Sequence, residues 1–396
     1  MKKNKKITVC LAGKNEIGVY GLKLLIKNFG NENIRVICNS TDKGYDTWQP
    51  SLLKAAIDSK VKVISLEDCY DISNLVFLSL EFNKIVDPKK FKDASLYNIH
   101  FSNLPSYKGM YTSAMPLLNG ESESGVTLHE IDSGIDTGNI IDKIIFDIET
   151  EETAKSLYRK YLDYSKELLE KNLSDIVYGK TISKPQPSIG SSYYSSKSID
   201  YKNLEVNLNA SAQEIKNQIR AYTFPEYQLP KVHGFYVNSA DILSKRSSSK
   251  SGVLISTAEQ KINISTNDYD LSLFRDKDYE LFDAASSNNI ELAEECLKYG
   301  ANINARIQNG WTPTIVSCYK GSLEVLLLLI KKGADINLPN YKGTTPLMYA
   351  MSFYELSKEK SVFDALIKYG ADTEMCDIYS KTIKDYVSER NVKGLF

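Results

Sequence analysis

The 396-residue chain has only three histidines and two tryptophans, and no surplus of either charge: 49 lysines and arginines stand against 50 aspartates and glutamates. That balance removes the global electrostatic pull toward nucleic acid, so neither a tRNA-binding nor a DNA-binding enzyme is expected. The six cysteines (Cys10, Cys38, Cys69, Cys296, Cys318 and Cys376) contain no CxxC pair. They read as buried thiols of a reducing compartment, and a cytoplasmic protein is expected. No His/Cys cluster has metal-ligand spacing, so no metal is expected. No apolar run approaches the ~20 residues that a membrane span needs. The basic start, Met1 to Lys6, precedes an apolar stretch that ends at Gly13-Lys14-Asn15-Glu16 with no small-residue cleavage site, which argues against a signal peptide. The first glycine loop lacks GxGxxG, so a dinucleotide cofactor is not indicated.

What is present describes a soluble globular chain, 42% hydrophobic and 25% charged, long enough for two or three domains. Apolar β-rich runs at 7–12, 34–38, 61–65 and 74–80 alternate with helical patterns at 17–27 and 51–59. This alternation predicts a Rossmann-like α/β domain with a parallel-type sheet. Gly13-Lys14-Asn15 then falls at a strand end, where a plain strand-to-helix turn and a ligand role fit equally well. Residues 125–131 and 140–148 alternate like paired strands, and 153–174 repeats with helical period, Ala154, Leu157, Tyr161 and Leu168 on one face. The Ser-, Pro-, Gly- and Tyr-rich stretch 180–198 reads as a linker. A small α+β segment follows, with a helix at 212–221, strands at 233–243 and 253–256, and a hairpin loop at 245–252. The domains expected are 1–181, 182–276 and 277–396.

The last third repeats. Gly300-Ala301-Asn302-Ile303-Asn304 returns 33 residues later as Gly333-Ala334-Asp335-Ile336-Asn337, and Thr312-Pro313 returns at the same spacing as Thr345-Pro346. Gly370-Ala371-Asp372 follows 37 residues after Gly333, as though one loop had gained four residues, and Thr382 stands near the next Thr-Pro position. A 33-residue period carrying these two phase-locked motifs resembles ankyrin repeats, an all-α stack over about 279–386. Ankyrin stacks usually bind proteins. Trp311, at a variable position of the repeat with Tyr319 and Lys320 nearby, is common there as plain structure; the alternative is a second, non-catalytic nucleotide-sugar site that stacks a thymine and pairs a pyrophosphate.

The chemistry converges on Asn98, His100 and Asp136. Asn98 and His100 lie two apart at a predicted strand end, so both side chains share one face. Asp136 sits in the turn Gly134-Ile135-Asp136-Thr137-Gly138. An amide, an imidazole and a carboxylate form an acyl-transfer set: an oxyanion donor, a proton carrier, and a group that stabilises the carrier. His129 and His233 read as hydrogen-bonded structural residues. Asn98-Ile99-His100, the loop Ser102-Asn103-Leu104-Pro105-Ser106-Tyr107-Lys108-Gly109, Gly125-Val126-Thr127-Leu128-His129 and Asp136-Thr137-Gly138 resemble, in order and spacing over 7–181, the formyltransferases that use 10-formyltetrahydrofolate. Phe101 and Asn103 depart from the usual loop, where Pro and Leu are common. The resemblance implies that Asn98, His100 and Asp136 are catalytic, with 10-formyltetrahydrofolate as co-substrate. The pterin would lie along Leu80, Glu81 and Phe82 and the loop holding Asp132 and Ile135. Gly190-Ser191-Ser192-Tyr193-Tyr194 and residues 217–225 resemble the smaller domain of the members that formylate dTDP-linked amino-dideoxyhexoses for surface polysaccharide (O-antigen). The acceptor implied is dTDP-3-amino-3,6-dideoxy-glucose, with the 4-amino isomer as alternative. A different acceptor, or a degenerate formyltransferase serving as an ankyrin scaffold, are the further readings. Asn15 and Lys84 suit a pyrophosphate and Tyr222 or Phe224 a thymine, and family members of this kind commonly form homodimers through the smaller domain.

Overall fold

The computed structural model describes residues 7–395, which form two compact units dividing between Leu204 and Glu205. The basic start lies outside the described residues. The first unit begins β1 (Thr8–Gly13), α1 (Asn15–Phe29), β2 (Ile34–Cys38), α2 (Leu52–Asp58), β3 (Lys62–Val63), β4 (Leu75–Leu80) and β5 (Ala94–His100). It continues through β6 (Lys108–Gly109), the single turn α3 (Met115–Leu118), β7 (Glu123–Glu130), β8 (Ile140–Asp147), α4 (Ala154–Tyr178) and β9 (Tyr193–Tyr194). Seven strands make one sheet in the order β3-β2-β1-β4-β5-β7-β8.

β1 to β5 pair in parallel, whereas β7 runs antiparallel to both β5 and β8. The expected parallel-type sheet is therefore mixed. A parallel return needs a crossover, usually a helix, and the only helix between β5 and β7 is the four-residue α3. All six residues of β4 are buried, as a central strand covered on both faces requires. The chain moves outward from β1 to β3, then returns to β4 on the other side of β1. In sheets with such a reversal, ligands usually bind at the carboxyl ends of the strands that flank it, here β1 and β4. Gly13 closes β1 there, and a Cβ on it would stand 2.1 Å from the Leu80 carbonyl oxygen, so the approach of the two strand ends requires glycine. Helix α4 is capped by Thr153 and Ser156 and stopped by left-handed Gly179, and it buries Ala154, Leu157, Tyr161 and Leu168 as its periodicity predicts.

The segment 180–198 is not a free linker. Lys184 exchanges two backbone hydrogen bonds with Ile140, and β9 pairs with β6, so backbone groups that solvent would otherwise satisfy are bonded into the first unit.

The second unit opens with α5 (Ala212–Tyr222), β10 (Lys231–Val232), β11 (Phe235–Arg246), β12 (Leu254–Thr257), β13 (Lys261–Ile264) and β14 (Tyr269–Arg275). These strands form an antiparallel sheet, β10-β11-β14-β13-β12, whose inner face of Val237, Leu271 and Leu273 meets Ile215 and Ile219 of α5. Helices α6 (Lys277–Ser287), α7 (Ile290–Lys298), α8 (Pro313–Lys320), α9 (Leu323–Lys331), α10 (Pro346–Ser357), α11 (Ser361–Lys368) and α12 (Ile383–Glu389) then stack in pairs. The repeated Thr acts as a helix cap: Thr312, Thr345 and Thr382 accept from the backbone N–H three residues on, and Pro313 and Pro346 occupy first positions that need no donor. The four extra residues lie in a helix rather than a loop. α8 stops after eight residues at left-handed Gly321, but the equivalent position in α10 is Tyr354. With no glycine there, α10 runs on to twelve residues before Lys358 turns left-handed. Cys10, Cys69, Cys296 and Cys318 are buried as expected, Cys38 is half-buried and Cys376 exposed, and all six are unpaired.

One residue, Asp276, separates β14 from α6, and a buried charge cluster ties the two. Arg275 makes a bidentate pair with Glu280 (2.7 Å twice), and Lys277 bonds both Glu280 (2.9 Å) and Glu295 (2.7 Å). Removing one member of such a set leaves the others charged and dry, a cost of about 3–5 kcal/mol. Glu280→Ala should destabilise the sheet and the first repeats together by that amount in a urea melt; a change under about 1 kcal/mol would show the cluster to be solvated instead.

Candidate active site

β5 brings Asn98 and His100 to the carboxyl end of the sheet, and its pairing with β7 sets Asn98 opposite His129. His129 Nδ1–H donates to the Glu130 carbonyl (2.7 Å), which leaves its Nε2 lone pair to accept from Asn98 Nδ2 (3.1 Å). His100 is held the other way: Nε2–H donates to the Tyr107 carbonyl at 2.8 Å, so Nδ1 presents its lone pair to Asp136 Oδ2 at 3.5 Å. Asp136 Oδ1 accepts from Asn98 Nδ2 at 3.4 Å and lies 3.6 Å from His129 Nε2, while Oδ2 accepts from the Gly109 N–H at 2.9 Å. The carboxylate thus stands between two imidazoles whose ring centres are 6.5 Å apart.

Burial acts against ionisation of Asp136, but the opposing influence of His100 and His129, exerted when their imidazoles carry a proton, and of the Gly109 N–H holds its carboxyl well below the usual range. Asp136 is also left-handed (φ 54°), as are Tyr107, Asn15 and Glu81. Such backbone costs a non-glycine residue about 1–2 kcal/mol and persists only where its surroundings fix it. Gly138 closes the Asp136 loop, and a Cβ there would meet the Glu130 carbonyl oxygen at 1.8 Å.

The other residues singled out by sequence fall in several places. Leu80 is fully buried at the end of β4. The Glu81 carboxylate accepts from Tyr158 OH (3.1 and 3.2 Å) and from Asn15 Nδ2 (3.3 Å). Burial pushes the Glu81 carboxyl up, against the opposing pull of Lys14, Tyr158 and Asn15. Phe82 packs half-buried beside Phe77. Lys84, Asp132 and Ile135 are exposed, and Asp132 Oδ1 accepts from Gly134 N and Thr137 Oγ1. Tyr222 ends α5 and Phe224 is buried against Tyr227, both in the second unit. Trp311 and Tyr319 meet at 5.3 Å, and Tyr349 of the next repeat completes the cluster 4.9 Å from Trp311, with Lys320 beside Tyr319.

The first unit therefore brings together Asn98, His100 and Asp136, and separately Asn15 and Glu81. His129, the Tyr107 carbonyl, the Gly109 N–H and Gln186 were missed as parts of the site. Gln186 Nε2 donates to the carbonyls of Asp136 (2.9 Å) and Gly138 (2.7 Å). For His129 the available signal was its alternating strand, and the missing fact was the register that places it opposite Asn98. Among the described residues no group of three or more His, Cys, Asp or Glu side chains is arranged to hold a metal ion, and no helix is long and apolar enough to cross a membrane.

A doubly wound sheet with an amide, an imidazole and a carboxylate at its carboxyl end suits an acyl-transferring enzyme, and comparison with known proteins narrows the class. The formyl transferase family profile matches residues 78–173, and a profile for ankyrin repeats (3 copies) matches 281–377. The crystal structure of an N-formyltransferase from Helicobacter canadensis, in complex with folinic acid and dTDP-3-aminofucose, is 42% identical with TM-score 0.64, covering 68% of this chain and 100% of that one. WlaRD, a sugar 3-N-formyltransferase solved with dTDP and 5-N-formyl-THF, is also 42% identical with TM-score 0.64, covering 68% and 97%. Methionyl-tRNA formyltransferase of Clostridium tetani is 28% identical over 283 residues, 66% of this chain and 88% of its own length. The chain belongs to the N-formyltransferase family and carries ankyrin repeats at its carboxy-terminal end.

The depressed Asp136 pKa has a sign. A carboxyl whose folded pKa lies below the unfolded value of about 3.9 contributes stability above that pH and loses it as pH falls through the folded value. The stability difference between wild type and Asp136→Asn should therefore be full at pH 5–7 and shrink below about pH 4 in urea melts. A difference independent of pH down to 2 would mean that the carboxylate is not held in this way.

Proposed function

We propose that the protein transfers a formyl group from 10-formyltetrahydrofolate to the amino group of a dTDP-linked amino-dideoxyhexose, dTDP-3-amino-3,6-dideoxy-glucose ahead of its 4-amino isomer, for surface polysaccharide. The observation that carries the transfer is the convergence of Asn98, His100 and Asp136 at the carboxyl end of the sheet. The acceptor class is supported by the two 42%-identical relatives, whose structures hold dTDP-3-aminofucose or dTDP. The donor set suits a formyl-folate, since it offers an amide N–H and a basic nitrogen.

His100 Nδ1 takes the proton of the attacking amine as the new C–N bond forms, and Asp136, ionised throughout, stabilises the imidazolium. Asn98 Nδ2 exchanges its longer bond, the one to Asp136, for the developing oxyanion, a stabilisation of ~3 kcal/mol. His100 then returns the proton to the folate nitrogen as its bond to the formyl carbon breaks. The backbone of Leu80, Glu81 and Phe82 and the loop with Asp132 and Ile135 would hold the pterin. Asn15 and Lys84 would meet the pyrophosphate, and Tyr222 or Phe224 the thymine. A homodimer through the small sheet fits the exposed Val253, Leu254 and Ile255 at its β12 edge. The protein is expected in the cytoplasm. The scaffold reading loses ground because the catalytic set is intact and mutually bonded.

Formyl transfer should be assayed with paired dTDP-sugars carrying the amine on carbon 3 or carbon 4. A preference for the 3-amino sugar is expected, with turnover lowered about 10²- to 10⁴-fold in a folded His100→Asn variant. Preference for the 4-amino sugar would reassign the acceptor, and no turnover with either would move the weight to another acceptor or to the scaffold.

The ankyrin aromatics carry a second reading, a non-catalytic nucleotide-sugar site, in which Trp311, Tyr319 and Tyr349 offer ring faces next to Lys320. A protein partner is the competing occupant. Calorimetry on the full chain should find two dTDP sites per chain, and one in Trp311→Ala; a single site in both proteins would dismiss the idea.

A further inference from the structure

The catalytic groups do not hold themselves in place. His100 owes its tautomer to the Tyr107 carbonyl, and Asp136 owes one of its bonds to the Gly109 N–H; both lie in the loop after β5. That loop is fastened from a distance, by the segment after α4. Ser106 Oγ donates to the Gly190 carbonyl (2.7 Å), Tyr107 N donates to Ser192 Oγ (2.8 Å), and Lys108 N and Met110 N donate to the carbonyls of Ser192 (3.0 Å) and Tyr194 (2.9 Å). The rings of Tyr107 and Tyr194 stack at 5.5 Å. Gly109 is pressed so closely against β9 that a Cβ would meet the Tyr194 carbonyl oxygen at 2.2 Å. On the other side, the Gln186 amide spans the Asp136 and Gly138 carbonyls and so fixes the left-handed turn that aims the carboxylate.

We propose that residues 183–196 are a positioning strap for the catalytic pair, with Gln186 setting Asp136, and Ser192 setting the carbonyl that orients His100. The strap touches neither reacting group through a side chain; it acts on the backbone that carries them. This inference rests on the catalytic roles proposed above for His100 and Asp136.

Gln186→Met keeps the side chain's length and removes its donors. In the full chain, kcat for formyl transfer should fall, by up to about 10²-fold if the carboxylate shifts by an ångström, while KM for both substrates changes less than about twofold. The groups facing His100 are Asp136 and, across it, His129. With Asp136 displaced, the imidazolium loses support and the acid limb of the kcat/KM profile should move to lower pH. Ser192→Ala should lower kcat in the same way, and it serves if Gln186→Met does not fold. Wild-type kcat and pH profile in the folded variants would overturn the strap, as would a fall in kcat/KM carried by KM alone. Asp136→Asn separates the two layers of argument. If it retains full turnover, the catalytic assignment fails; if it is inactive and the strap variants are normal, only the strap fails.

Discussion

A buried carboxylate between two imidazoles is the constraint around which the first unit is arranged. Asp136 lies in a place where desolvation opposes its charge, and a lone ion there would protonate rather than stay. It is held ionised by donors that β5 and the loop after β5 deliver, Asn98 Nδ2 and the Gly109 N–H, and by His100 of β5 and His129 of β7 when their imidazoles carry a proton. Those deliveries explain features that look unrelated. β7 has to turn antiparallel to bring His129 opposite Asn98, Gly138 has to lack a side chain, and Asp136 itself has to accept a left-handed backbone. Local strain is tolerated at this point because every neighbouring bond repays part of it.

Much of this was legible before any coordinates, because the patterns involved are periodic or punctuated. The alternation 7–80, the helix on 153–174 and the 33-residue repeat all depend on spacings that a folded backbone must obey. Asn98 and His100 could be paired because residues two apart on a strand share a face. The rest depended on register and on long-range pairing, which spacing does not encode. His129 is the hydrogen-bonded strand residue expected, but that its bond goes to Asn98 depended on the cross-strand register. Residues 180–198 have the composition of a linker, yet their backbone groups find partners more than 40 residues upstream. The four extra residues of the repeat seemed to belong to a loop because insertions normally do. Instead the loss of a glycine stop at Tyr354 let a helix continue.

The second unit is organised by capping and by charge. Each Thr cap sets the start of a repeat helix, and the backbone N–H groups of Asp335 and Asp372 donate to the side-chain oxygens of Asn304 and Asn337, carrying the same contact from one repeat to the next. The array is thus held together by nearest-neighbour terms, as repeat proteins are. Its first helices differ from the later ones, because their outer partner is the small sheet rather than another repeat: Lys277 and Glu280 face Arg275, and Tyr279 donates to the Pro225 carbonyl.

The single residue between β14 and α6 bears on how such a chain could be dismantled. Asp276 caps the helix and also accepts a bond from Asn238 of β11, so the seam has no slack and no spare residue. Here the last residue of a strand and the first of a helix share one ionic cluster. The sheet and the first repeats are accordingly expected to unfold as one body, with no exposed joint between them for a protease to cut.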